Sequence, residues 1–358
     1  VRRARILVVV LAAALAACAS PPLRQVPDAD TLTAREMDAY RDAAAAIDDG
    51  DPARALKAIE PVASREPWHV PSHVLRQDAL ALSGEEAQAK SWYASEAAAR
   101  PKDAQRALLA ARVGPRAGGA RESAYRAAAA RPETSTWARI ALSYELVRRA
   151  KDDLARATKL GDDGFIAEAA AALSSRKDAF AEAETTARAA AHDRPDLAAA
   201  QAALADVLLA VTNETQRNQA PDALTAAEAA LALDSGSAGA WARVGRARRA
   251  KSDDSGASKA FAKAVEIAPR NAGYRASLGR VLLDLRRDVD ARDVLKDASR
   301  LDPRDETTAV NYALSLFRTK DLVAAEKEYE RAARLDPSDP RAFDGLALTR
   351  AERGDRAG

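Results

Sequence analysis

The stretch Trp241–Pro269 reads WARVGRARRAKSDDSGASKAFAKAVEIAP, and its pattern returns every 34 residues. Trp241, Val244, Gly245, Ala257, Phe261, Ala264 and Pro269 are followed by Arg275, Leu278, Gly279, Ala291, Leu295, Ala298 and Pro303. A third round gives Ala309, Tyr312, Ala313, Ala325, Tyr329, Ala332 and Pro337. A period of this size is one helix–turn–helix unit, which cannot bury its apolar face alone and must stack on copies of itself. Gly245 and Gly279 lack a Cβ, so the first helix of a unit can approach the second closely. Ala257, Ala291 and Ala325 are the small partners on the second helix. Phe261 and Tyr329 fill the gap toward the next unit. Pro269, Pro303 and Pro337 stop the second helix, because proline lacks the N–H and clashes with the preceding turn.

These residues resemble the tetratricopeptide repeat family. The resemblance is strongest over residues 239–339 and weakens toward the N-terminus, where Gly50, Ala55, Ile59 and Pro67 mark the first unit. Trp137, Ile140, Ala141 and Tyr144 read as a first helix, with a shortened second helix around Leu154–Leu160 and a further unit over Phe165–Pro195. The expected architecture is an all-α superhelix of about nine repeats, with a lone terminal helix over Arg341–Arg353 as its cap. Bends are expected at Thr212–Pro221 or Gly114–Gly119, within an elongated arc.

Composition agrees with that reading. Of 358 residues only 4% are aromatic, and alanine, the best helix former, is abundant. Small side chains let helices approach toward the short end of about 8–10 Å. No segment alternates like a strand.

The N-terminus carries a second pattern. Arg2, Arg3 and Arg5 precede the apolar run Ile6–Leu15, and Leu15-Ala16-Ala17-Cys18 follows. Basic, apolar, then small is the order of a secretory signal, too short for a comfortable membrane span. Its end resembles the bacterial lipoprotein cleavage box, which implies cleavage before Cys18 and acylation of that residue. An ordinary signal peptide with a chance cysteine is the alternative. With no aspartate after Cys18, the family rule implies an outer-membrane anchor facing the periplasm. The expected division is signal peptide 1–17, lipidated cysteine and tether 18–33, degenerate repeats 34–197, repeats 198–339, and cap with tail 340–358. Cys18 is the single cysteine, so stability must come from helix packing without a disulfide.

Leaving out Arg2, Arg3 and Arg5, the 55 basic residues fall one short of the 53 acidic ones. Such a balance lacks the electrostatic footprint of a nucleic-acid binder. No enzyme chemistry is legible. His69 and His73 stand four apart, but Pro71 lies between them and no further ligand completes a metal site, so they read as surface residues near a turn. His192 reads as a helix-end histidine. Gly114, Gly118 and Gly119 lack the Gly-Lys-Ser/Thr of a phosphate loop. Neither a catalytic residue, a metal, a cofactor nor a small-molecule substrate is expected.

What remains is recognition. By resemblance, the first helices of successive units line a concave face that holds a peptide or a partner helix. Arg246 and Arg249 fall on one first helix, Arg280 takes the place of Arg246 one unit on, and Arg318 follows. This basic strip could receive an acidic segment of a partner, since arginine pairs well with carboxylates; alternatively the four arginines are solvent-exposed or pair with Asp284 and other neighbours. The resemblance implies a lipid-anchored assembly factor for a pilus, secretion or polysaccharide-export machinery. A regulatory or substrate-recruiting subunit of an envelope enzyme, such as a glycan synthase or glycosyltransferase, is the alternative.

Overall fold

A computed structural model describes residues 32–354 apart from 66, 67, 116–118, 133 and 216. Cys18, the signal peptide and most of the tether lie outside the described residues, as does the end of the C-terminal tail.

Local chemistry starts several of the helices. Thr33 opens α1 (Ala34–Asp48) through a capping box with Glu36. Asp51 caps α2 (Pro52–Ala63), whose proline sits where a missing N–H costs nothing. The chain continues through α3 (Val70–Leu82), α4 (Glu86–Ala99), α5 (Ala104–Val113) and α6 (Ala120–Ala129). Then come α7 (Ser135–Asp162) and α8 (Ile166–Asp193), α9 (Ala198–Glu214) and α10 (Ala220–Leu233), and α11 (Ala238–Ala250) and α12 (Asp254–Ile267). Last are α13 (Ala272–Asp284), α14 (Asp288–Leu301), α15 (Glu306–Arg318), α16 (Leu322–Leu335) and the single α17 (Pro340–Arg353).

Consecutive helices pair, and each pair stacks on the next. The second helices α12, α14 and α16 end two residues before Pro269, Pro303 and Pro337. Turns inside the pairs repeat as well. Gly50 and Gly84 have positive φ, and so do Ser252, Arg286 and Lys320, each 34 residues apart within its set.

Close approach occurs where the small residues stand. A Cβ on Gly245 would lie 3.0 Å from the Phe261 ring, and one on Gly279 would lie 2.4 Å from Leu295 Cγ. Ala257, Ala291 and Ala325 are fully buried, and Phe261 and Tyr329 are buried beside them. Trp241 is partly buried against the same cores. Tyr329 reaches onward to α17, where a Cβ on Gly345 would meet its ring at 2.2 Å. The core is thus a string of small clusters along the stack, as expected of a solenoid.

The fold is all-α, with about nine repeats' length of chain before α17, but two expected units are fused. Residues 135–193 form one double-length hairpin, since α7 and α8 are 28 residues each and α7 runs unbroken through Leu154–Leu160. The polar loop is also shorter than expected: α9 continues through Thr212 to Glu214, leaving five residues before α10.

The superhelix curls until its first helix, α1, meets the start of α13. Tyr274 Oη donates to Asp48 Oδ1 at 3.1 Å, and Asn271 Nδ2 donates to Asp48 O at 2.8 Å. The Arg270 N–H donates to Asp49 Oδ1 at 3.2 Å. Arg41 of α1 lies 3.5 Å from Asp234 at the end of α10. One turn of the spiral is therefore closed, in place of the open arc expected from the repeats.

Candidate protein-binding groove

The closed turn surrounds a recess of about 520 Å³, lined mainly by the first helices of the pairs. Its wall is largely apolar, with Ile47, Val74, Leu75, Trp137 and Ile140 among the lining residues. The small residues Ala198, Ala199 and Ala202 of α9 open the space between them. Tyr40, Tyr144 and Tyr274 bring hydroxyls from α1, α7 and α13. A second recess of about 710 Å³ adjoins it at Tyr144 and extends along Asp206, Arg246 and Arg249.

Asp206 is the polar centre of this face. It accepts Tyr144 Oη at 2.9 Å, Arg243 Nε at 2.9 Å and Arg246 Nη2 at 2.8 Å. Burial opposes the charge on Arg243, yet the Asp206 carboxylate and the Tyr144 hydroxyl hold its pKa above the ordinary arginine value. Enclosure of its hydroxyl in the concavity, then the Asp206 charge, raises Tyr144, so the hydroxyl remains a donor. Burial, with Asp234 and Asp78, pushes Tyr40 up to about 12. Burial raises Asp48 as well, partly countered by the hydrogen bond from Tyr274 and by the charge of Arg243. Tyr144 keeps 41% of its surface exposed, and that surface faces the recesses. An aromatic ring exposed inside a concavity is an anchor point for an incoming side chain.

Each of the four arginines expected to form a basic strip has a partner within the chain. Arg246 binds Asp206, and Arg249 and Arg280 share Asp284 at 3.6 and 3.4 Å. Arg318 donates to Leu283 O at 2.9 Å and lies 3.2 Å from Asp288. Arg246 and Arg249 line the second recess, whereas Arg280 and Arg318 bridge neighbouring first helices further along.

The reading of His69 and His73 as surface residues is corrected: they are 4% and 1% exposed. His73 stacks on Trp68 with ring centroids 4.0 Å apart, and its Nδ1 lies 3.0 Å from Tyr93 Oη. Trp92 lies nearly parallel to both rings, 5.5 Å from Trp68 and 6.4 Å from His73, and Arg106 covers the Trp68 ring at 4.1 Å. Burial, then the Arg76 and Arg106 charges, pushes His73 down to about 3. This cluster of scarce aromatics packs the second pair together and joins it to α5, and sequence reasoning missed it because Trp68 and Trp92 fall outside the repeat pattern. His192 is exposed at the end of α8, 3.7 Å from Asp193. Among the described residues no group of three or more His, Cys, Asp or Glu could hold a metal ion. Among the same residues no helix is long and apolar enough to cross a membrane.

With the fold and groove in view, comparisons place the architecture. No protein-family model matches the chain, and no curated protein matches it. Among solved structures, the hetero-tetramer Cut9–Hcn1 of the APC/C superposes with a TM-score of 0.60 at 15% identity, over 84% of this chain and 53% of that one. YrrB, a TPR protein with an unusual peptide-binding site, matches 48% of this chain and 85% of its own at 24% identity and a TM-score of 0.42. Pseudomonas aeruginosa PilF matches 58% of this chain and 86% of its own at 19% identity and a TM-score of 0.42. Helix pairs in series, the 34-residue turns and the small-under-large contacts define an α-helical repeat solenoid. Its fold is of the tetratricopeptide type.

Proposed function

We propose that this protein is a non-enzymatic scaffold whose inner groove receives a segment of a partner protein. The observation that carries the reading is the pair of adjoining recesses meeting at the exposed ring of Tyr144, enclosed by first helices from seven helix pairs. Apolar walls supply the hydrophobic part of binding, and Tyr40, Tyr144 and Asp206 supply oriented polar groups. The proposal extends to an acylated Cys18 that holds the scaffold on the outer membrane, facing the periplasm. There it assists assembly of a pilus, secretion or polysaccharide-export machinery. An acidic partner segment would have to displace Asp206 and Asp284 from Arg246, Arg249 and Arg280.

A photoreactive residue at Tyr144, introduced in living cells, tests the groove against the same probe at Lys263, which is exposed on α12. One envelope protein crosslinked from position 144 and not from 263 supports the scaffold reading. Equal recovery from both positions removes it. A glycan synthase or glycosyltransferase as the captured protein would favour the recruiting-subunit alternative. In parallel, Arg246→Glu combined with Arg280→Glu abolishes capture if the partner segment is acidic.

A further inference from the structure

The double-length hairpin is too long for the stack it belongs to. At about 1.5 Å per residue, α7 and α8 span about 42 Å, whereas a 14-residue repeat helix spans about 21 Å. Their proximal halves pack into the solenoid through Leu142, Leu146, Phe180 and Ala183. Their distal halves, residues 151–178, bury only Ala157 and Ala172, both at the seam between the two helices. Ser175 Oγ ties that seam to Asp153 Oδ2 at 2.7 Å. The hairpin is therefore an arm standing out from the spiral.

One face of the arm is apolar and bare. Ile166 is 68% exposed and Leu173 47%, with the exposed Ala170 between them and Phe165 at 54% beside the turn. Positions 166, 170, 173 and 177 follow the spacing of a helix–helix seam, so Lys177 continues the same stripe. The polar ends of the stripe are opposite in sign. Asp162 and Asp163 occupy the turn at the tip, and Lys177 occupies the inner end, all three exposed and without an ion pair among the described residues.

We propose that this face pairs with the same face of a second copy of the chain. Under a two-fold axis near Ala170 the two stripes run antiparallel. Ile166 of each copy then meets Leu173 of the other, small Ala170 side chains allow close contact at the axis, and the acidic turn lies beside Lys177 of the other copy. A two-fold interface must be self-complementary in this way, with apolar centre and opposite charges at matched distances. Carboxylates at the tip count against an anionic lipid surface as the occupant.

The full chain purified in detergent should sediment as a dimer whose monomers separate on dilution. Ile166→Asp combined with Leu173→Asp changes only exposed positions, so the helical circular dichroism should stay the same. Self-association should weaken by about thirty-fold or more, the loss expected for a central apolar contact. Lys177→Asp should weaken it too, and Asp162→Lys with Asp163→Lys in the same chain should restore it. A monomeric wild-type chain at tens of micromolar, dimers that survive Ile166→Asp with Leu173→Asp, or an arm found bound to vesicles or to a different protein in place of its copy, would each overturn the proposal. This test is independent of the groove, whose outcome reads on Tyr144.

Discussion

Tyr274 donates its hydroxyl hydrogen to Asp48 at 3.1 Å, joining residues 226 positions apart in the chain. This contact belongs to the clasp that turns a row of repeats into a closed ring around the recess. Its energetics follow from burial. Asp48 has a pKa above the usual aspartate value, so the folded chain holds its proton more tightly than the unfolded chain does. The stability it contributes is full below the unfolded pKa and is lost as pH rises through the folded one.

Asp48→Asn keeps an acceptor for Tyr274 and removes the buried charge. It should raise the melting temperature at pH 7 by about 2 °C and give no gain near pH 3. Tyr274→Phe should cost about 1 kcal/mol and enlarge the radius of gyration as the ring loosens. Calorimetry across pH and small-angle scattering check the two effects.

Glycine contacts rank a second set of variants. Gly279→Ala places a methyl 2.4 Å from Leu295 Cγ, inside any tolerable contact, whereas Gly245→Ala meets the Phe261 ring at 3.0 Å. Alanine gains about 1 kcal/mol of helix propensity over glycine. Gly279→Ala should still lose about 1–3 kcal/mol, and Gly245→Ala should come out smaller in denaturant unfolding. Ala257→Arg and Ala291→Arg, at fully buried positions, should lose more than about 3 kcal/mol.

His73 sets an acid limit. Its imidazole is held down to about 3, well below the ordinary histidine value of 6.5, so below that value the unfolded chain takes a proton that the folded chain refuses. Stability from this group is full above pH 6.5 and declines as pH falls toward 3. His73→Phe, which keeps a ring against Trp68, should flatten the fall in melting temperature between pH 6.5 and pH 4.

The proposed membrane attachment would depend on the Cys18 thiol. Cys18→Ser removes the thiol that the lipoprotein box would acylate, and a single missing anchor of this kind abolishes stable attachment. The variant should move from the membrane pellet to the soluble fraction and lose palmitate label; a chain that still pellets would refute the anchor.

The fold was legible wherever 34-residue spacing coincided with a turn residue. Trp241–Pro337 reads directly into α11–α16 because Ser252, Arg286 and Lys320 break each pair at the same step. Lys151-Asp152-Asp153 looks like Lys251-Ser252-Asp253-Asp254 with one residue missing, and without the residue that takes positive φ the helix simply continues. The repeat pattern therefore suggested a turn where backbone chemistry offers none. Of the groove, the first-helix face was readable, and the four arginines lie on first helices. Their carboxylate partners were read only in part, since Asp206 and Asp288 belong to neighbouring units. Tyr40, Tyr144 and Tyr274 could not be grouped, because their meeting depends on small rotations summed over many pairs.

Closure also limits how such a gene can change. Between α1 and α13 the copy number is fixed: inserting or deleting one unit there would carry Asn271 and Tyr274 away from Asp48 and unseal the ring. Beyond α13 no such constraint applies, so duplication or loss of units near the C-terminus can lengthen or shorten the protein while the chamber stays intact.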